Sequence, residues 1–221
     1  MKLAVSAITK TVLGFLLFAL LIFIPAGTLC FANGWLLIAI LFIPMIIMGI
    51  VLFVRAPEML KKRLDMKEKA GTQKVVVALS GIGLVFGLVI AGLDFRLGWS
   101  DVPAAADITA AILFLLGYAM YAEVMRENAY LSRTVKVEEG QKVVDTGLYA
   151  IVRHPMYTAT IFMFLAIPIV LGSFYSLIVF LFYPAVIAVR IKDEEELLER
   201  ELDGYAEYKK SVIYRLIPYV W

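Results

Sequence analysis

Five side chains in the last third of this chain could do chemistry together: Tyr149, His154, Tyr157, Arg190 and Glu194. His154, the only histidine, stands inside Arg153-His154-Pro155-Met156-Tyr157, just before a long apolar stretch that ends at Arg190 and the pair Glu194-Glu195. An imidazole, a guanidinium, carboxylates and phenols together can hold a polar ligand and orient a reacting atom. They cannot make a zinc-type centre. One histidine and one cysteine, Cys30, do not supply the three or four nitrogen or sulfur ligands such a site needs, so no metal is expected, and a lone cysteine forms no internal disulfide.

Taken singly, each residue has a plain structural explanation. A solitary His is ordinarily packed or interfacial, and an Arg followed one turn later by a Glu is ordinarily a snorkelling cation with an ion pair at a helix end. Their meeting at one depth changes the balance, because ionisable groups at a membrane edge that face a bundle interior are functional candidates. The step before Pro155 also biases His154 away from helical geometry. Its ring is then left at a helix start, where free backbone N–H groups can bind a polar or anionic ligand.

Meeting at one depth requires a membrane. The chain is 62% hydrophobic and 18% charged with a mean hydropathy of +0.87, well above the apolar share of soluble domains, so an all-α integral membrane protein is expected. The net charge of +2 and the scatter of basic residues exclude a nucleic-acid surface.

Four segments are long and apolar enough to span: roughly Thr11 to Phe31, Trp35 to Val54, Val75 to Leu93 and Ala104 to Met125. A fifth stretch, Met156 to Ile191, is too long for one span and is broken at Gly172-Ser173, which makes it a hairpin of two short helices. Six spans result, in a single membrane domain over 1–221. Residues 1–125 carry the four N-terminal spans, and 126–221 the polar region with its hairpin. The run from Glu194 to Leu202 reads as an amphipathic helix on the membrane.

With six spans, all but Arg96 of the 21 Lys and Arg residues fall on one side, which the positive-inside rule assigns to the cytoplasm together with both termini and the polar site. Trp35 and Trp99 mark the outer interface. The first segment has the basic start and apolar core of a signal peptide. It lacks a clear small-x-small cleavage site, however, and its removal would leave an odd number of spans. The charged loop Arg55 to Lys74, including Glu58, Lys61, Lys62, Arg63, Asp65, Lys67, Glu68 and Lys69, reads as a solvated helical connector at the lipid surface, drawn to anionic lipid.

The ordered pattern Gly147-Leu148-Tyr149, Arg153-His154-Pro155-Met156-Tyr157, an apolar hairpin, Arg190, Glu194-Glu195-x-x-Leu198, then Gly204, Tyr208 and Pro218 resembles the isoprenylcysteine carboxyl methyltransferase family, related to phospholipid N-methyltransferases. The resemblance covers about residues 128 to 218. It implies S-adenosylmethionine as cofactor, with binding positions at Gln141, Val143, Val144, Tyr149, His154, Pro155, Met156, Tyr157, Glu194 and Glu195. It places Arg190 at the methyl acceptor, with Arg190 and Glu194 as the catalytic pair. Gln141 stands where members often carry a histidine, and Leu202-Asp203-Gly204 replaces a Phe-Gly pair.

The implied activity is methyl transfer to a lipophilic acceptor, a prenylated cysteine carboxylate being favoured over a phospholipid amine because Arg190 suits an anion. An NADPH-dependent sterol-type reductase is a rival, disfavoured because no extra basic cluster for a 2′-phosphate is evident. A transporter or assembly protein is a further rival, disfavoured because no span carries a mid-membrane charge.

Overall fold

In the computed structural model, residues 2–64, 71–131 and 137–221 are described, the side chains of 71 and 72 excepted. Asp65, Lys67, Glu68 and Lys69 of the charged loop lie outside the described residues. Among those described, every regular element is helical: α1 (Lys2–Ala26), α2 (Ala32–Arg55), α3 (Pro57–Leu64), α4 (Gly71–Leu97), α5 (Ala104–Glu127), a 3-10 turn (Gly147–Ala150), α6 (Pro155–Val170), α7 (Phe174–Phe180), α8 (Tyr183–Glu201) and α9 (Tyr205–Ser211).

Five of these stretches are long and apolar enough to cross a membrane: α1, α2, Gln73–Leu97, α5, and α7 with α8 taken together as Phe174–Glu201. Helix α6 is apolar but shorter, at 16 residues. This is the integral membrane, all-α architecture expected from hydropathy. Large apolar side chains such as Ile8, Ile24, Ile50 and Leu116 are exposed on the outside of the bundle, as lipid-facing positions must be when no water needs to be excluded.

Tight packing is reserved for helix contacts. Helix α6 lies along α5, and the approach is closest at Gly117, where a Cβ would stand 2.9 Å from Met163 Cγ and 3.2 Å from the Ala159 carbonyl. The interior seam is filled by Ile22, Leu37, Leu88, Phe114, Val170 and Phe180, all nearly inaccessible.

The hairpin turns at Gly172, whose φ of +71° is open to glycine at no steric cost. Ser173 caps α7 by accepting the Ser176 N–H at 3.0 Å, and its own hydroxyl donates to Asp94. Asp94 also accepts the Ser100 N–H at 2.7 Å. The far tip of the hairpin is thereby fastened to the end of α4.

Two local details depart from the sequence expectation. The returning arm is broken at Leu181-Phe182, because Pro184 lacks an N–H and its ring would clash with the carbonyl of Phe180, so a new helix starts there with proline in its first turn. That new helix then runs without a break through Arg190 and the acidic run to Glu201. The amphipathic stretch is therefore a continuation of the hairpin arm and holds Arg190 and Glu194 in rigid helical register.

The second departure is α3. Lys61 and Glu58 face outward, 3.8 Å apart and largely exposed. Lys62 pairs with Glu138, Arg63 reaches Tyr121 and Met156, and Lys10 of α1 donates to the Leu64 carbonyl. One edge of this helix is thus docked on the protein.

Candidate active site

The site is assembled on the end of the bundle that carries α3, the 3-10 turn and the start of α6. Gly147 begins the 3-10 turn with a φ of +52°. Glu127, at the end of α5, fills the space where a side chain would go and accepts the Leu148 N–H at 3.1 Å. The next residue, Tyr149, is fixed at both ends. Its hydroxyl accepts from Asn128 Nδ2 at 3.0 Å, and its carbonyl accepts the Tyr208 hydroxyl at 2.7 Å.

His154 stands immediately before α6 with φ −125° and ψ 60°, outside the helical region that a following proline disfavours. Its backbone N–H donates to the Arg215 carbonyl at 2.9 Å, as that of Arg153 does to Tyr214. The C-terminal segment is thus stitched along the Arg153-His154 step. Arg153 adds two side-chain bonds, from Nη1 to the carbonyls of Val212 at 2.7 Å and Ile213 at 2.9 Å.

Glu195 is the hub of this stitching. Its carboxylate accepts from Arg153 Nε at 2.7 Å and Arg215 Nε at 2.9 Å, and lies 3.2 Å from His154 Nε2. It is 3% exposed, and two arginines satisfy a charge that would otherwise be costly to bury.

Glu194, one residue earlier, points elsewhere. It accepts the Tyr157 hydroxyl, and that same hydroxyl accepts Arg190 Nε at 2.8 Å. Arg190 also lies over the Tyr157 ring, 5.8 Å from its centre. The phenol oxygen therefore bridges the guanidinium and the carboxylate.

Gln141, Val143, Val144, Tyr149, His154, Pro155, Met156, Tyr157, Arg190 and Glu194 line one pocket. Of the positions singled out from sequence, Glu195 alone is outside that lining, behind the wall. Gln141 accepts the Glu138 N–H at 2.9 Å, which ties the pocket-rim loop.

Sequence reasoning passed over Asn128, Tyr205 and Tyr208 as lining residues, and Arg153 and Arg215 as the clamp. Tyr208 stood in the ordered pattern, but its closure over the 3-10 turn depends on a long-range bond that no local pattern announces. The Tyr205 hydroxyl lies buried on the pocket wall with no partner among the described residues, as expected of a group that meets a ligand. Burial pushes the Tyr149 phenol up to about 12, opposed by its bond from Asn128. Burial raises Tyr205 as well, with the charges of Glu195 and Glu194 adding to the shift. Both phenols stay neutral at ordinary pH and offer a polar O–H rather than a base.

Fold and site together define a multi-span, all-α membrane protein with a polar pocket at one end of the helix bundle, organised by its C-terminal helical hairpin. Within it, residues 110–200 match the model of the Isoprenylcysteine carboxyl methyltransferase (ICMT) family, which bears out the resemblance over that stretch. The chain is also similar to two curated proteins. It is 33% identical over 91 residues to the Delta(14)-sterol reductase TM7SF2 of Mus musculus, covering 40% of this chain and 22% of that protein. It is 25% identical over 171 residues to the Delta(14)-sterol reductase of Arabidopsis thaliana, covering 68% of this chain and 46% of that protein. The chain therefore spans less than half the length of either relative.

Proposed function

We propose that the protein is an S-adenosylmethionine-dependent methyltransferase that esterifies the carboxylate of a lipophilic, prenylcysteine-like acceptor. The observation that carries this reading is the Arg190–Tyr157–Glu194 bridge on the wall of a pocket lined by the His154-Pro155-Met156 turn, within the stretch matched by the family model.

The residues present fit the cofactor. An acidic Glu194 suits its cationic groups, the unpartnered Tyr205 hydroxyl suits an oxygen-rich ribose, and Val143, Val144 and Met156 suit an aromatic base. When bound, S-adenosylmethionine supplies a sulfonium methyl, which passes to an acceptor oxygen as the C–S bond breaks and its electron pair stays on sulfur.

The chain's own part is alignment. Arg190 holds an anionic acceptor through charge-assisted hydrogen bonds, and its bond to Tyr157 and its place on the unbroken α8 fix its direction. An acceptor that is already an anion needs no base, so His154 positions the turn and does not move a proton. The acceptor enters sideways from the membrane, and the basic face is the cytoplasmic one on this reading.

Calorimetric titration of the detergent-purified protein should detect S-adenosylmethionine. Incubation with a labelled methyl donor and a prenylated thioether acid should give a base-labile methyl. No binding at millimolar cofactor would remove the proposal. A base-stable methyl would move it to an amine acceptor such as a phospholipid.

A reductive reading is favoured by one finding, the similarity to two Delta(14)-sterol reductases. Binding of NADPH in place of S-adenosylmethionine in the same titration would select it.

A further inference from the structure

Helix α3 lies far from the hairpin in sequence, yet it delivers a cation to the pocket's edge. Arg63 is partly buried. Its guanidinium carbon is 5.2 Å from the centre of the Tyr121 ring, and its Nη2 is 3.9 Å from the sulfur of Met156, a residue of the pocket wall. Its Nε is buried without a hydrogen-bond partner among the described residues. Among the described residues no carboxylate lies within ion-pair distance of it.

The other cations of α3 are engaged differently. Lys61 faces outward beside Glu58, whereas Lys62 is held by Glu138. The Lys62–Glu138 pair and the bond from Lys10 to the Leu64 carbonyl hold α3 in place, so Arg63 is aimed by the fold and is not a stray surface charge. A partly buried guanidinium with an inaccessible, unpartnered Nε and no counter-ion among the described residues is left short of hydrogen bonds, at a cost. A sulfur and an aromatic face recover only part of that cost. The missing element is an anion, and the direction in which it lies is set by Met156, the neighbour of Tyr157 and its Arg190 bond.

We propose that Arg63 is a second anion-recognition residue of the acceptor site, which binds the acceptor's carboxylate from the α3 and α5 side while Arg190 binds it from the hairpin side. This rests on the methyl-transfer reading for the identity of the acceptor. It gives the N-terminal helices a direct part in substrate choice. Two guanidiniums on one carboxylate favour the acid over its neutral ester, which is also the product of the reaction, so the same residue helps release what has been made.

The test is equilibrium binding of a prenylated thioether acid and of its methyl ester to the full-length protein in detergent. Wild type is compared with Arg63→Gln, Arg63→Lys and Lys61→Ala, alongside calorimetry with S-adenosylhomocysteine. Wild type should prefer the acid. Arg63→Gln should lower acid affinity about tenfold or more while leaving the ester and S-adenosylhomocysteine unchanged. Arg63→Lys should recover part of the preference, because it restores charge without the planar fork. Lys61→Ala, which removes an equal but outward charge, should change nothing.

An unaltered acid-to-ester ratio in Arg63→Gln would overturn the inference. So would a loss confined to S-adenosylhomocysteine, which would put Arg63 on the cofactor, or an absence of acid preference in wild type. Failure of wild type to bind S-adenosylhomocysteine, with the Arg63-dependent acid preference intact, would instead sink the methyl-transfer reading and leave the anion site standing.

Discussion

Glu194 and Glu195 are neighbours in sequence with opposite duties. Glu194 accepts the Tyr157 hydroxyl on the pocket wall, while Glu195 is closed behind it by Arg153, Arg215 and His154. Successive residues on a helix are turned by about 100° from one another, and one glutamate cannot substitute for the other. Glu194→Gln should weaken S-adenosylhomocysteine binding with little change in thermal unfolding. Glu195→Ala should leave Arg153 buried without its counter-ion and destabilise by about 3–5 kcal/mol. Unfolding in detergent checks the second, and calorimetry the first. Equal thermal losses in both would refute the division.

Removing the bridging hydroxyl tests how Arg190 is aimed. In Tyr157→Phe the ring still packs beside the guanidinium, but Arg190 and Glu194 lose their shared oxygen. Turnover should fall about tenfold, in line with about 1.5 kcal/mol for a hydrogen bond to a charged group. Cofactor affinity should shift less. A larger effect on cofactor binding than on turnover would contradict the positioning role.

Arg190→Ala should spare cofactor binding and suppress methyl transfer, because the guanidinium is assigned to the acceptor. A binding assay and a single-turnover assay separate the two. The reverse pattern would exchange the proposed roles of Arg190 and Glu194.

The lid that α9 forms over the 3-10 turn packs against Val137 and Val143 and is tied by a long-range bond, from the Tyr208 hydroxyl to the Tyr149 carbonyl at 2.7 Å. Tyr208→Phe should cost about 1 kcal/mol and increase hydrogen exchange in residues 202–212 more than in α5 or α6. Uniform exchange across the chain would show that the bond does not hold the lid.

The pH dependence follows from the buried phenol of Tyr149, held up at about 12 against an ordinary 10.0. A raised phenol favours the neutral form in the folded state. Its contribution is therefore full below the unfolded value near 10 and is lost as pH climbs toward 12. Wild type should lose stability over that window more steeply than Tyr149→Phe, as read from unfolding midpoints and phenolate absorbance. Identical slopes would show that Tyr149 does not carry the effect.

Much was determined by the sequence alone, because it rests on composition and local rules. Apolar runs of the required length place the spans, Gly172-Ser173 sets the hairpin turn, and Pro155 makes His154 a helix boundary. The four-residue step from Arg190 to Glu194 puts both on one helical face. Hairpin geometry also set His154 and Arg190, 36 positions apart, at one level, while the lining positions named in advance, half of the pocket wall, came from the family resemblance.

Three things were decided only by tertiary structure. Glu194 and Glu195 look alike in sequence, and their separation into a wall residue and a buried hub depends on where the segment from Val212 to Trp221 docks. The closure of Tyr205 and Tyr208 over the 3-10 turn depends on a contact 59 residues distant. The inward direction of Lys62 and Arg63 depends on Glu138 and Tyr121, which belong to other parts of the chain. In each case the deciding energy is the pairing of a buried polar group with a partner far away in sequence, and no local pattern encodes which partner that will be.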